Sequence, residues 1–251
     1  MLAAERKQMI LGSLGRDGKV IAAELAARFE VSEDTIRRDL RELADDGLLH
    51  RVYGGALPKP PVSTAYANRR SESLPAKLAI GTVAAGLLEE GQTIIIDGGT
   101  TPLEVATHLP REFRATIITH SVPVMNAVAE HPNIELIIIG GTLYKNALAA
   151  VGAATAEAYS NIHADVCIVG MAGVHPDAGL TDLFLEETHV KRAMVAGAGK
   201  VMAVVSSEKL GTAATYAFAP LSRLTHLVTD GRATDELLKP YRGAGIAVLK
   251  S

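Results

Sequence analysis

The chain has 251 residues, with 25 Lys and Arg against 28 Asp and Glu and a formal net charge of −3 at pH 7. That length suits two modest domains with one sizeable core, and the charge excludes a basic cloud that would draw the whole molecule to nucleic acid. A single cysteine excludes an intrachain disulfide and fits a reducing cytoplasm. The lack of Trp argues against a base-stacking platform, and no apolar run approaches the ~20 residues of a membrane span.

In chain order, residues 5–14 carry Met9, Ile10 and Leu14 at helical spacing and stop before Gly15. Residues 20–29 give a second helix with Ile21, Leu25 and Phe29 on one side, and Glu30-Val31 makes a tight turn. Ser32 then stands where an N-cap is needed, because its hydroxyl can accept from a free N–H of the first turn. Glu33 and Asp34 follow at the positive end of the helix dipole. At 100° per residue Ile36, Leu40 and Leu43 share the core face, while Asp34, Arg37, Arg38 and Arg41 gather opposite. An apolar back and an arginine front suit the DNA major groove, with Ser32 and Thr35 in reach of bases or backbone. The plainer alternative is a solvated face in which Arg38 and Glu42 form an i,i+4 pair. What favours the groove is the context. Gly47 stops the helix, and residues 48–52 can pair with 53–57 in a hairpin wing carrying His50, Arg51, Tyr53, Gly54 and Gly55. Residues 1–57 hold nine Lys and Arg against ten Asp and Glu, so binding would depend on a few placed arginines and on doubling in a dimer.

From Leu57 to Leu74 prolines and serines break any periodicity, which predicts an interdomain linker at 58–75. From Lys77 short β-branched runs alternate with helices. Strands are predicted at 93–96, 115–119, 134–139, 165–169, 201–205, 224–229 and 246–249, and helices at 77–88, 103–109, 122–129, 153–159 and 186–196. This pattern argues for a mostly parallel α/β sheet covered on both faces over residues 76–251. Cys167 lies inside one of these runs and is expected to be an inert buried residue.

Ligands bind at the carboxyl ends of such strands. Asp97-Gly98-Gly99-Thr100-Thr101 follows the first strand, Thr119-His120-Ser121 the second and Gly140-Gly141 the third. Gly170 to Gly173 follows the fourth, and Ser206 to Lys209 the fifth. The Gly-Gly-Thr-Thr run lets N–H groups and hydroxyls cradle an anion at a helix N-terminus. It is neither a Walker loop nor a GxGxxG fingerprint. A single loop of this kind is usually a tight turn, whereas five strand ends together favour a polar, anion-binding pocket.

Two sets of residues carry a family resemblance. Arg6-x-x-x-Ile10, Ser32-x-x-Thr35-Ile36-Arg37-Arg38-Asp39-Leu40, Leu43-x-x-x-Gly47 and Val52-Tyr53-Gly54-Gly55-Ala56 resemble the winged helix-turn-helix of DeoR-type bacterial transcriptional regulators. Asp97 to Thr101, Thr119 to Ser121, Gly140-Gly141, Gly152, Gly170 to Gly173, Glu187 to Lys191 and Lys209 resemble the effector domain of the same family. That domain is similar to ribose-phosphate isomerases and typically senses a phosphorylated sugar or related metabolite. The resemblance implies DNA contacts from Ser32, Thr35, Arg37, Arg38, Arg41, Arg51 and Tyr53 to Gly55, with Asp39 orienting an arginine. It implies a phosphate held by Gly99, Thr100 and Thr101, Asp97 meeting sugar hydroxyls or fixing the loop, and positive charge from Lys209. Lys191 would act likewise or merely form a surface pair with Glu187. The family often has Asn at His120 and acidic residues at Met171-Ala172 and at Ser206, so a complete carboxylate set for isomerisation is not expected.

Three function classes follow. The favoured one is a repressor of carbohydrate genes, active as a homodimer or homotetramer on a DNA operator and switched by a phosphorylated metabolite, with no catalytic residue, metal or cofactor. The second is an isomerase-like enzyme with a helical appendage. The third is a metabolite-binding module that recruits protein through its N-terminal domain.

Overall fold

The computed structural model describes residues 1–63 and 65–251. It begins with α1 (Ala3–Asp17), β1 (Val20–Ile21), α2 (Ala22–Phe29), α3 (Glu33–Asp45), β2 (His50–Val52) and β3 (Gly55–Leu57). Ile10, Leu25, Phe29, Ile36, Leu40 and Leu43 are buried together in one small core, as their helical spacing requires. Glu30 takes a left-handed φ of 54° to turn α2 into α3, and the Ser32 hydroxyl caps α3 by accepting from the Thr35 N–H at 3.2 Å. Arg6 of α1 and Asp39 of α3 form a buried two-pronged ion pair that ties the first helix to the third.

The wing differs from its expected form. Val20 and Ile21 do not start a helix but form β1, which pairs antiparallel with β3 through Val20↔Ala56 and Ile21↔Gly55. Two adjacent β-branched residues favour a strand, so the wing has three strands in the order β1-β3-β2. Its hairpin is also shorter than 48–57. Leu49 drops into the core, and Tyr53-Gly54 makes the turn with Gly54 at φ 81°.

The stretch expected as a linker contains α4 (Tyr66–Ser71) and the start of α5 (Leu74–Ala85). Tyr66 is buried, and the buried Lys77 donates to the Arg69 carbonyl. The interdomain stretch therefore includes helical residues docked on the α/β domain.

Beyond α5 come β4 (Thr93–Ile96), α6 (Thr100–Thr107), β5 (Ala115–Thr119), α7 (Val122–Val128), β6 (Ile134–Ile138), β7 (Thr142–Tyr144), β8 (Ala149–Val151) and α8 (Ala153–Ser160). Then follow β9 (Ala164–Val169), β10 (Gly173–His175), β11 (Gly179–Asp182), α9 (Leu185–Ala196), β12 (Ala198–Val204), β13 (Tyr216–Ala219), β14 (His226–Thr229), α10 (Asp235–Gly243) and β15 (Ala247–Lys250). Seven strands form one sheet in the order β15-β14-β12-β9-β4-β5-β6, and every pairing in it is parallel. Alternate residues feed two cores. Ile94 and Ile96 pack with Ile80 of α5 and Leu103 of α6, whereas Ile95 packs with Val190 and Met194 of α9 on the other face. The period of two along each strand is the reason the runs are apolar throughout.

Two features had no sequence signal: the β7–β8 hairpin, and a small antiparallel sheet of β10, β11 and β13. Their strands have three or four residues, too few to show alternation. α6 starts at Thr100, three residues before its expected start, so Thr100 and Thr101 stand in its first turn.

Candidate ligand pocket and nucleic-acid interface

A pocket opens at the carboxyl ends of β4 and β9, lined by the predicted residues Gly98, Gly99, Thr100, Thr101, Gly170, Lys191 and Lys209. Gly99, at φ 141°, gives α6 no side-chain cap, so the first-turn N–H groups of Thr100 and Thr101 remain without helical partners. The threonine hydroxyls make no hydrogen bond to protein among the described residues. Lys209 lines the same pocket and donates to the Met171 carbonyl at 3.1 Å. Burial, with Lys77 nearby, pushes its ammonium down to about 8. These groups together offer donors and positive charge to an anion.

Asp97 lies beneath the pocket rather than on its wall. It is fully buried, and its Oδ2 accepts from the Gly170 N–H at 3.0 Å and from Lys191 Nζ at 2.7 Å. These bonds tie the Gly170 loop and Lys191 to the end of β4. Lys191 also donates to the Gly170 carbonyl at 2.8 Å and lies 3.1 Å from Asp182 Oδ2. Burial opposes its charge, yet Asp97, Asp182 and Glu187 together hold its pKa above the ordinary lysine value. The surface pairing of Glu187 with Lys191 is thus corrected: both are buried. Burial and the Asp182 charge raise the Glu187 carboxyl to about 7.

The other predicted residues are placed around this core without lining it. The Thr119 hydroxyl donates to the Ile96 carbonyl at 2.7 Å and accepts from the Ser121 N–H at 3.2 Å, which ties the ends of β4 and β5 together. His120 is buried, with Nδ1 3.0 Å from the Tyr159 hydroxyl and Nε2 3.8 Å from Asp97 Oδ1. Burial pushes its pKa down to about 3, so it stays neutral and does not supply charge near neutral pH. Gly141 leaves room for the Thr155 hydroxyl, 2.0 Å from where a Cβ would stand, and Gly173 leaves room for Thr212. Gly140 is exposed with open space around it.

At the other end of the chain, Arg37, Arg38, Arg41 and Arg51 are exposed on α3 and the wing. Arg38, Arg41 and Arg51 make no ion pair among the described residues, and Glu42, the partner Arg38 would have had on a merely solvated face, pairs with Lys7 instead. Arg37 instead bonds Glu33 at 2.6 Å on its own helix. A groove between α3 and the wing is lined by Arg37, Arg51, Tyr53, Gly54 and Gly55. Tyr53 projects fully from the wing tip. Ser32 and Thr35, hydrogen-bonded to each other at 2.9 Å, stand at the start of α3. Asp39 orients Arg6, as a carboxylate kept away from phosphate should, although its partner lies on α1.

Residues 6–59 match the family model of the DeoR-like helix-turn-helix domain, and residues 72–231 match that of the DeoR C terminal sensor domain. The chain belongs to the DeoR family. Among curated DeoR-type relatives, the HTH-type transcriptional regulator GolR of Listeria innocua is 32% identical over 250 residues, covering 99% of this chain and 98% of that one. The glycerol-3-phosphate regulon repressor of Escherichia coli is 32% identical over 231 residues, covering 92% of each. Among solved structures, ribose 5-phosphate isomerase A of Methanocaldococcus jannaschii matches at 16% identity and a TM-score of 0.38, over 53% of this chain and 52% of that one.

As a DeoR-family member the chain is a DNA-binding transcriptional regulator and not an enzyme. Membership does not by itself point to every residue of the pocket. Asp182, Phe184, Val62 and Arg69 line it without having been expected. Asp182 ends a strand too short to recognise, and Val62 and Arg69 lie in the stretch read as an interdomain linker. No helix among the described residues is long and apolar enough to cross a membrane.

Proposed function

We propose that this DeoR-family regulator is a cytoplasmic repressor of carbohydrate-metabolism genes whose operator affinity is set by a phosphorylated sugar or polyol phosphate. The observation that carries the reading is the pocket at the start of α6, where uncommitted threonine hydroxyls and helix N–H groups share the lining with Lys209. A phosphate ester satisfies those donors, and Asp182 and Glu187 on the same wall can accept from its hydroxyl groups. The name of the glycerol-3-phosphate regulon repressor agrees with an effector of this class. The chain acts as a homodimer or homotetramer, because a helix-turn-helix reads paired half-sites and this one carries little charge of its own. An effector with a different affinity for the DNA-competent state and its alternative shifts operator binding by that difference.

The test is a gel-shift titration of the chain's own promoter DNA with and without a panel of sugar and polyol phosphates. The wild type is expected to change operator affinity with at least one ester. The Thr100→Val/Thr101→Val variant is expected to bind DNA but ignore that ester. Undiminished ester binding by this variant in calorimetry rejects the site.

A further inference from the structure

Val62 and Arg69, two walls of the pocket, belong neither to the seven-stranded sheet nor to its covering helices. They lie in the segment that joins this domain to the wing. β3 ends at Leu57, and Val62 follows five Cα steps later, at most about 18 Å of extended chain. The described residues of the segment are held down at several points. The Pro58 carbonyl accepts from the Ala213 N–H at 3.0 Å. Lys77 donates to the Arg69 carbonyl. The Arg69 guanidinium donates to the carbonyls of Ser63 at 3.3 Å and Asn146 at 2.9 Å. It is thus a pre-oriented cation at the pocket wall, fastened to both the joining segment and the β7–β8 turn.

Building on the phosphate reading above, we propose that Arg69 contacts the effector and closes the site from the interdomain segment. One anion then grips the joining segment and the α/β domain at once, and its occupancy sets the position of the wing. A guanidinium recognises phosphate through paired N–H donors. Here it complements Lys209 and the start of α6, which belong to the other side of the junction. The competing route runs through the β10–β11 hairpin: Asp182 at its far end lines the pocket, and Asp177 in its turn pairs with Lys19 of the DNA-binding domain at 2.8 Å. Both members of that pair are more than half exposed, so it holds the domains weakly. The joining segment, with its covalent continuity, is the stronger link.

The experiment uses the full chain with glycerol 3-phosphate, fructose 6-phosphate and ribose 5-phosphate as probes. Calorimetry reads ester binding, and fluorescence anisotropy on promoter DNA reads the ester's effect. Arg69→Ala is expected to weaken ester binding roughly tenfold or more, Arg69→Lys less, and the exposed neighbour Arg70→Ala not at all. A four-residue Gly-Ser insertion between Leu57 and Pro58 should leave ester binding intact and abolish its effect on DNA affinity. Asp177→Ala should leave both unchanged. Wild-type ester affinity in Arg69→Ala, coupling that survives the insertion, or coupling that is lost in Asp177→Ala overturns the proposal. A wild type that binds none of the esters overturns the phosphate reading, and this inference with it; that arm is separate from the variants.

Discussion

Lys209 and Glu187 show how burial sets the chemistry of single residues here. As pH rises through about 7 the Glu187 carboxyl ionises, and through about 8 Lys209 loses its proton. Both events make the pocket more negative, while a phosphate ester is already mostly dianionic, its second pKa lying near ~6. Ester affinity should therefore fall between pH 7 and pH 9, and Lys209→Arg should remove the part of the fall near pH 8. Calorimetric titrations that stay flat across this range contradict the assignment. Stability carries the same signature. A folded pKa raised from 4.5 means that the Glu187 contribution is fully present below 4.5 and lost as pH passes 7, so Glu187→Gln should melt higher than wild type at pH 8 but not at pH 4.5. Asp97 has a different kind of importance. Its removal leaves Lys191 buried beside Gly170 with one partner fewer, and Asp97→Ala should cost about 3–5 kcal/mol in chemical denaturation. None of these environments was legible in the sequence. Asp97 lies some ninety residues from Glu187 and Lys191 and meets them only because α9 packs across the end of β4, so the local spacing of Glu187 and Lys191 suggested a surface pair where a buried network exists.

The elements themselves were more legible, because their signals are local. α3 announces its cap, its acidic first turn and its apolar stripe within a few turns, and most strands of the large sheet are short apolar runs rich in β-branched residues. Where a signal was weak, packing decided. Val20-Ile21 becomes a strand because β3 lies beside it, and α4 forms inside a proline-rich stretch because Tyr66 finds a buried site. Gly55 shows how tight the wing junction is. A Cβ there would stand 1.9 Å from the Val20 carbonyl oxygen, so Gly55→Ala should detach β1 from β3, lowering the melting temperature of the N-terminal domain and operator affinity together. Ser32→Ala removes the α3 cap at about 1 kcal/mol. On the exposed face of α3, Arg38→Ala should cost about 1–3 kcal/mol of specific DNA affinity if it reads a base. If it meets only phosphate, a uniform loss with a reduced salt slope is expected instead.

For the whole molecule, the domain order explains why a chain with net negative charge can act on DNA. The winged helix offers few arginines, one of them bound to Glu33, so its hold on DNA should depend on a small number of placed contacts. The α/β domain holds the pocket proposed to take the anion at its strand ends, and the joining segment contributes part of that pocket's wall. A metabolite switch needs these parts in contact: a reader whose affinity can be tuned, a sensor, and a connection that the ligand itself touches. The most direct test is the operator dissociation constant of the full-length protein at zero and saturating phosphate ester, measured beside calorimetry on the same sample. A saturable change in operator affinity, with a midpoint that tracks the calorimetric Kd and is lost in Thr100→Val/Thr101→Val, is the predicted result. An ester that binds stoichiometrically in the pocket while operator affinity stays constant would contradict it.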